Sequence, residues 1–391
     1  MQKHNKHYPF RKRVVLILRR KILPLLLLFL LLLPQLSVYA EEGGPAAMIL
    51  YEPRTGTVLE ALNPDEPMLI ASTTKIMTAL VVLEHCMLHE RVLVTEAQAE
   101  VEGSSAYLRA GETYTVEMLL YGLMLASGND AACALAEHAA GSIEGFAELM
   151  NEKAAALGLE NTHFMNPHGL DDEEHYSSAR DLALLTAAAM ENETFCRIFS
   201  AQSYASDGVE YQNHNKLLES CEGCLGGKTG YTRAAGRTLV SCAEREGMRL
   251  ICVTLSDPND WEDHSRSYDD AFAAYSYRSL LETAWRRLPV ISGTAASVGV
   301  RCEKQGVLLH KGARTDFQVE LPRFVFAPLS AGERVGSVTI YENGSKVFEA
   351  ALFSSNAVAR DEDAAPPPWK RFWRNWTQRC MGSLRYEEIL A

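Results

Sequence analysis

The chain has 391 residues, 47% hydrophobic and 23% charged, which excludes wholesale disorder and favours two or three domains. Its formal net charge of −12 is unevenly spread, because residues 1–40 hold Lys and Arg but no acid, and residues 369–391 are also net basic. An acidic body argues against nucleic-acid binding, whereas two basic ends indicate contact with an anionic surface such as a membrane.

Residues 1–40 have the order of a secretory signal peptide. Basic residues up to Lys21 precede the apolar run Ile22–Leu33, and Val38 and Ala40 provide a cleavage site before Glu41. As a helix the run would span about 18 Å, short of the roughly 30 Å hydrocarbon core that an uncleaved anchor must cross. We therefore predict an exported, extracytoplasmic protein whose mature chain starts at Glu41.

Residues 41–288 predict one mixed α/β domain. The pattern begins with two short strands, continues with helices and returns to strands, so the sheet must be assembled from both ends of the segment. The predicted strands are Ala47–Tyr51, Thr57–Leu62, Thr238–Cys242 and Arg249–Leu255. One predicted helix starts at Ser72, and further helical stretches cover Val116–Leu157, Ala179–Phe199 and Ser267–Trp285.

The remaining residues predict three further segments. Residues 289–355 show short alternating stretches with Gly and Pro, which predict a small all-β sandwich domain. Residues 356–368 form a charged, Pro-rich linker. In residues 369–391, Trp369, Phe372, Trp373 and Trp376 share one face of an amphipathic helix with cations opposite, which predicts peripheral attachment to a membrane surface. The alternative is a helix that docks on the β domain.

The nine cysteines predict no metal site. Cys86, Cys133, Cys242 and Cys252 lie in apolar runs and are interpreted as small core residues. Cys221 and Cys224 form the one close pair, and either a local disulfide or two free thiols fits this spacing. No second such pair follows, and His85, His89 and Glu90 do not form an H-E-x-x-H motif, so we predict neither metal nor cofactor.

Three short motifs carry the candidate chemistry. They are Ser72-Thr-Thr-Lys75 at the start of an apolar helix, Ser127-Gly128-Asn129 at the end of another, and Lys228-Thr229-Gly230 on a predicted strand. A serine needs an adjacent base to become a nucleophile, and positions i and i+3 place the lysine amine beside the hydroxyl. Each motif alone is weak, but the ordered set is that of penicillin-binding proteins and class A β-lactamases.

The residues around these motifs resemble the low-molecular-mass penicillin-binding proteins, the serine-type D-alanyl-D-alanine carboxypeptidases of peptidase family S11. The resemblance covers about residues 45–355 and rests on segments 70–79, 166–171, 175–179, 213–218 and 227–236. It implies the penicillin-binding DD-peptidase fold, related to β-lactamases, and removal of the terminal D-alanine from peptidoglycan stem peptides during cell-wall biogenesis and the maintenance of cell shape. It also implies inhibition by β-lactams, which mimic D-Ala-D-Ala.

The resemblance also implies a role for each motif residue. Ser72 would attack the carbonyl between the two D-alanines, Lys75 would accept its proton, and Ser127 would relay a proton to the leaving amine. Asn129 would bind the acyl-side amide, and Lys228 and Thr229 would hold the free carboxylate. Gly230 completes the third motif, and the backbone N–H groups of Ser72 and Tyr231 would form the oxyanion hole.

Two other functions compete with this interpretation. A β-lactamase would need a loop glutamate in an E-x-x-L-N motif, but the residues after Glu160 do not fit. A non-catalytic peptidoglycan-binding protein would not need the complete set of motif residues. The sequence leaves open which of Arg233, Arg237 and Arg266 meets the substrate carboxylate. It also leaves open whether the role is vegetative or sporulation-specific, and whether there is endopeptidase or transpeptidase side activity.

Overall fold

The computed structural model describes residues 43–206, 208–280 and 287–361. Its helices, after a 3-10 turn at Ala71–Thr74, are α1 (Lys75–His85), α2 (Glu96–Ala99), α3 (Val116–Met124), α4 (Asn129–Ala140), α5 (Ile143–Leu157), α6 (Ala179–Ala189), α7 (Glu193–Phe199), α8 (Leu217–Ser220) and α9 (Asp260–Ala274). Its strands up to residue 279 are β1 (Ala47–Glu52), β2 (Thr57–Leu62), β3 (Arg91–Leu93), β4 (Thr113–Thr115), β5 (Ser203–Ser206), β6 (Val209–Gln212), β7 (Cys224–Thr232), β8 (Gly236–Arg245), β9 (Met248–Leu255) and β10 (Tyr275–Ser279).

A five-stranded sheet in the order β2-β1-β9-β8-β7 forms the centre of this part. Neighbouring strands are antiparallel, and β1 pairs with β9, so the two ends of the segment meet as the sequence predicts. Alternate residues face opposite sides: Ala47 and Ile49 join the large helical core, whereas Met48 and Leu50 pack with Tyr268 of α9. The sheet is therefore covered by helices on both faces.

Local signals set the ends of several helices. The hydroxyls of Thr115, Ser142 and Ser178 accept backbone N–H groups in the first turns of α3, α5 and α6. Helices α4 and α5 each stop at a glycine in the left-handed conformation, Gly141 and Gly158. The predicted helical stretch from Val116 to Leu157 is thus divided into three helices, α3 to α5.

The predicted helix Ser267–Trp285 is wrong in both bounds. Helix α9 begins earlier, at Asp260, and ends at Ala274, after which Tyr275–Ser279 form β10. The alternating aromatics Tyr275 and Tyr277 favour a strand, and β10 pairs antiparallel with β14 (Gly306–His310), a partner that the local sequence could not reveal.

Residues 287–361 contain strands and no described helix. Besides β14 these are β11 (Leu288–Ile291), β12 (Ser297–Val298), β13 (Val300–Cys302), β15 (Thr315–Glu320), β16 (Val325–Phe326), β17 (Arg334–Glu342) and β18 (Ser345–Ser354). They form a four-stranded sheet, β13-β18-β17-β15, and a three-stranded sheet, β12-β11-β16. Val338, Ile340 and Leu352 belong to a separate hydrophobic core, which also includes Leu280. The predicted domain division at residue 289 stays a prediction.

The signal peptide and the amphipathic helix lie outside the described residues, as does most of the predicted linker. Within the described part of the chain, no helix combines the length and apolar character needed to cross a bilayer.

Candidate active site

Ser72 and Lys75 lie where the 3-10 turn passes into α1. The Lys75 side chain is fully buried, and its Nζ is 2.9 Å from Ser72 Oγ, 2.8 Å from Asn129 Oδ1 and 2.7 Å from the backbone oxygen of His168. Ser72 itself is partly exposed. The preceding residue, Ala71, has a φ of 46°, a strained value of the kind that clusters at functional sites.

The environment of Lys75 favours its neutral form. Burial, and next the charge of Lys228, lower the pKa of Lys75 well below its ordinary value. A neutral amine has two N–H groups and one lone pair, and both Asn129 Oδ1 and the His168 carbonyl can only accept. These two acceptors occupy the two N–H groups, so the lone pair is left for the Ser72 hydroxyl. The arrangement therefore lets Lys75 accept the serine proton.

A second serine–lysine pair lies opposite the first. Lys228, on β7, is almost fully buried, and its Nζ donates to Ser127 Oγ at 3.0 Å and to the backbone oxygen of Thr229 at 2.7 Å. Burial lowers the pKa of Lys228 to about 7. Ser127 has a φ of 57° in the short connection between α3 and α4. Its hydroxyl can thus exchange a proton with an amine that is close to half-protonated at neutral pH.

Asn129 is the first residue of α4 and connects Lys75 with the loop 102–108. Its Oδ1 accepts from Lys75, while its Nδ2 donates to the backbone oxygen of Glu102 at 2.7 Å. The next residue, Asp130, is buried and accepts hydrogen bonds from the backbone N–H groups of Ala106 and Leu108. The start of α4 thereby fixes the loop 102–108 beside the site.

Strand β7 passes close to the backbone of Ser72. A Cβ on Gly230 would lie 2.9 Å from the Ser72 nitrogen and 2.3 Å from Thr238 Oγ1, so no other residue fits without displacement. Thr229 and Tyr231 flank Gly230; Thr229 is partly exposed, and Tyr231 is 69% exposed. The backbone N–H groups predicted for the oxyanion hole, those of Ser72 and Tyr231, thus belong to two segments in close approach.

The loop 163–177 also contributes to the site, through a backbone group that the sequence motifs did not predict. The backbone oxygen of His168 binds Lys75, and a Cβ on the adjacent Gly169 would lie 1.9 Å from the backbone oxygen of Ala71. The ring of His175 is buried and bonded to Thr74 Oγ1 at 2.8 Å, so this histidine positions the loop. The segment Asn166-Pro-His-Gly169 was a visible signal, but it did not reveal that a carbonyl was the functional group.

Two of the three candidate arginines are paired with carboxylates of α9. Arg237 contacts Asp260 at 2.5 Å, and Arg266 contacts Asp263 at 2.6 Å. Arg233 lies in the exposed turn between β7 and β8.

The close cysteine pair at the start of β7 consists of free thiols. Cys221 and Cys224 are both unbridged, and burial raises the pKa of Cys224 to about 11, so the thiol on β7 is protonated at neutral pH. Of the four cysteines interpreted as core residues, Cys133, Cys242 and Cys252 are buried. Cys86 is only partly buried, at the end of α1.

The four side chains of Ser72, Lys75, Ser127 and Lys228 meet between the helices and strand β7, as the order of the motifs requires. A partly exposed serine beside a buried amine whose neutral form is favoured, with backbone N–H groups of a nearby strand, is the set of groups that a serine acyl-transfer site of the penicillin-binding class requires.

Comparisons with known proteins agree with this class. Residues 37–259 match the family model of D-alanyl-D-alanine carboxypeptidase, peptidase S11. The D-alanyl-D-alanine carboxypeptidase DacF of Bacillus subtilis is 30% identical over 92% of this chain and 100% of its own length, and DacA of Haemophilus influenzae is 37% identical over 83% and 88%. The solved penicillin-binding protein 5 of Haemophilus influenzae superposes with a TM-score of 0.72 at 30% identity, covering 81% of this chain and 98% of that structure.

The chain therefore belongs to the D-alanyl-D-alanine carboxypeptidase family, peptidase S11, and is a serine-type carboxypeptidase with the mixed α/β penicillin-binding fold.

Proposed function

We propose that Ser72 is the nucleophile with which this enzyme removes the terminal D-alanine from peptidoglycan stem peptides ending in D-Ala-D-Ala. The observation that carries the proposal is the hydrogen bonding of Lys75, whose two other partners are acceptors and leave its lone pair to Ser72. Ser72 Oγ attacks the carbonyl between the two D-alanines as Lys75 takes the proton. An acyl-enzyme forms, D-alanine leaves, and water hydrolyses the ester.

The other motif residues position the peptide and move the second proton. Ser127, bonded to Lys228, passes a proton to the leaving amine of D-alanine. Asn129 binds the amide on the acyl side. Lys228 and Thr229 hold the terminal carboxylate, and the N–H groups of Ser72 and Tyr231 bind the developing oxyanion.

The test is D-alanine release from a diacyl-Lys-D-Ala-D-Ala peptide. We expect Ser72→Ala to lower kcat by about three orders of magnitude or more. We also expect penicillin to block the wild type by acylating Ser72, so that a fluorescent penicillin labels the wild type and not Ser72→Ala. Release that survives in Ser72→Ala would overturn the assignment of the nucleophile.

The structure gives no support to a β-lactamase. Glu160, the candidate for a deacylating glutamate, is exposed in the connection after α5, and Lys75 is instead bonded to the His168 carbonyl of the following loop. We expect a long-lived penicilloyl-enzyme, measured by intact mass after a single exposure to penicillin. Recovery of the unmodified mass within seconds would favour the β-lactamase.

We place the mature enzyme at the outer face of a bacterial cell membrane. A signal peptide over residues 1–40 accounts for export, and Trp369, Phe372, Trp373 and Trp376 supply the apolar face of a peripheral anchor. The β-rich residues 289–355 would then be a sandwich that spaces the catalytic domain from the membrane.

A further inference from the structure

A second cluster of reactive side chains lies at the far end of the two helices that begin at the active site. Cys86 follows the last residue of α1, His138 lies in the last turn of α4, and Glu90 belongs to the connection after α1. One ligand atom from each of the three side chains lies within 4.8 Å of the other two. The catalytic machinery uses none of them.

The three side chains are already partly held together. Glu90 Oε2 is 2.7 Å from His138 Nε2, and Glu90 Oε1 accepts the backbone N–H of Met87 at 2.9 Å. The Cys86 backbone N–H donates to the backbone oxygen of Val82, which fixes the end of α1. Cys86 and Glu90 are partly buried, so the cluster is sheltered yet open to solvent on one side.

Sulfur, imidazole nitrogen and carboxylate oxygen together are the ligand set of zinc. Tetrahedral zinc, with bonds of about 2.0–2.3 Å, keeps its ligand atoms about 3.3–3.8 Å apart. The Cys86 sulfur would therefore move in by at most about 1.5 Å, and Glu90 Oε2 and His138 Nε2, now 2.7 Å apart, would separate by about 1 Å. Three protein ligands leave a fourth position for water. Calcium and magnesium prefer oxygen ligands alone, and a thiol with an imidazole therefore selects against them.

The location favours a cation for a second reason. Helices α1 and α4 both direct their C-terminal ends toward the cluster, and each helix end carries the negative pole of its dipole. Lys75 is the first residue of α1 and Asn129 the first of α4. The eleven residues of α1 place the cluster about 16 Å from Lys75, too far to take part in the reaction.

We propose that Cys86, Glu90 and His138 form a binding site for a zinc-class divalent cation that ties the ends of α1 and α4 together. The cation would be a structural clamp on the two helices that position Lys75 and Asn129. This site does not depend on the roles proposed for the catalytic residues.

The first test measures zinc bound to the purified chain after equilibrium dialysis, by elemental mass spectrometry and by competition with a chromophoric chelator. We expect one zinc per chain, and Cys86→Ser, Glu90→Gln and His138→Ala should each lower its affinity by at least about tenfold. His85→Ala, in the same segment, is the matched control and should bind as the wild type does. Cobalt should give a thiolate charge-transfer band that is absent in Cys86→Ser.

The Cys221/Cys224 pair is the competing explanation for bound zinc. Cys221→Ala/Cys224→Ala should therefore keep the metal. Absence of stoichiometric zinc in the wild type would overturn the proposal, as would zinc that survives His138→Ala and is lost with the cysteine pair. In the same samples, zinc should raise the thermal midpoint of the wild type and leave that of His138→Ala unchanged.

Discussion

Lys75 shows how burial and a neighbouring charge set the protonation state of a residue. Its amine is fully buried and feels the charge of a second lysine, so the charged form is disfavoured, while Asn129 Oδ1 and the His168 carbonyl orient the neutral form. Neither acceptor carries a formal charge. If one of them did, the ammonium would gain a counter-ion, and Lys75 would remain protonated to a higher pH.

The substitution Asn129→Asp tests this balance. A carboxylate 2.8 Å from Lys75 Nζ favours the ammonium, so the acidic limb of the rate of penicillin acylation should move up by about one to two pH units. The measurement is the acylation rate from pH 5 to pH 10. Asn129→Ala is the control, because it lowers the rate without adding a charge. An unmoved limb in Asn129→Asp would contradict the assignment of Lys75 as the proton acceptor.

Lys228 makes a prediction about stability. Its folded-state pKa of about 7 lies below the ordinary value of 10.5, so between these values the unfolded chain binds one more proton than the folded chain. The free energy of unfolding therefore rises with pH in this window, by about 1.4 kcal/mol per pH unit from this group. Below pH 7 both states are protonated and the slope from this group vanishes.

We expect Lys228→Met to remove this contribution. Urea denaturation at pH 7.5 and pH 9.5 should show a less steep rise of the unfolding free energy in the variant than in the wild type, by about 1.4 kcal/mol per pH unit. Equal slopes in the two proteins would mean that Lys228 is not buried as a largely neutral amine.

At the scale of elements, the start of α4 supports the loop that faces Asn129. Both oxygens of buried Asp130 are engaged: Oδ1 accepts the Ala106 N–H, and Oδ2 accepts the Leu108 N–H and the Ser105 hydroxyl. Replacing one oxygen by an amide NH₂ group would leave buried donors facing another donor.

Asp130→Asn should therefore lower the free energy of unfolding by about 2–3 kcal/mol. It should also weaken penicillin acylation, because the loop beside Asn129 loses its anchor. Urea denaturation and hydrogen exchange of residues 102–108 measure the two effects. Asp270→Asn makes the same chemical change on an exposed position of α9 and should stay within about 0.5 kcal/mol of the wild type. A loss confined to Asp270→Asn would contradict the prediction.

The elements that could be predicted from the sequence are those with a strong local pattern. The strands of residues 47–62 and 238–255 and the helical stretch from Val116 to Leu157 have clear periodicity, and the structure confirms them. Among the motif residues, Lys75 contacts Ser72 and Lys228 contacts Ser127, while their catalytic roles stay predictions. Strand β10 could not be predicted, because it pairs with β14, some 30 residues away in the sequence. This pairing outweighs the helical pattern of the residues before β10.

Two other features of the structure could not be predicted from the sequence, for a different reason. The His168 carbonyl is a backbone group, which no side-chain motif reports. His138 lies on α4, whereas Cys86 and Glu90 follow the end of α1, so the sequence around residues 85–90 gave no sign of a three-residue cluster. Spacing along the chain finds ligands that share an element, whereas packing of α1 against α4 creates this group.

At the scale of the whole molecule, the hydrophobic cores and the charges are both unevenly distributed along the chain. The large helical core and the core around Tyr268 build the catalytic part, while the strands of residues 288–354 pack in a separate core that also includes Leu280. The chain is acidic overall, with a net charge of −12, whereas residues 1–40 and 369–391 are net basic. An acidic body is repelled by anionic lipid, so membrane contact should depend on residues 369–391.

Vesicle binding tests this dependence. Trp369→Ala/Trp373→Ala should lower binding to vesicles of mixed phosphatidylglycerol and phosphatidylcholine by at least about tenfold, because interfacial affinity follows buried apolar area and attraction to anionic lipid. Added salt should weaken wild-type binding, since each basic residue near the surface contributes about 1 kcal/mol in an unscreened field. D-alanine release from a soluble peptide should be unchanged. Phe326→Ala, an exposed aromatic of the β-rich part, is the control. If that variant alone lost binding, the attachment would lie on the β-rich part, and the terminal helix would dock there instead.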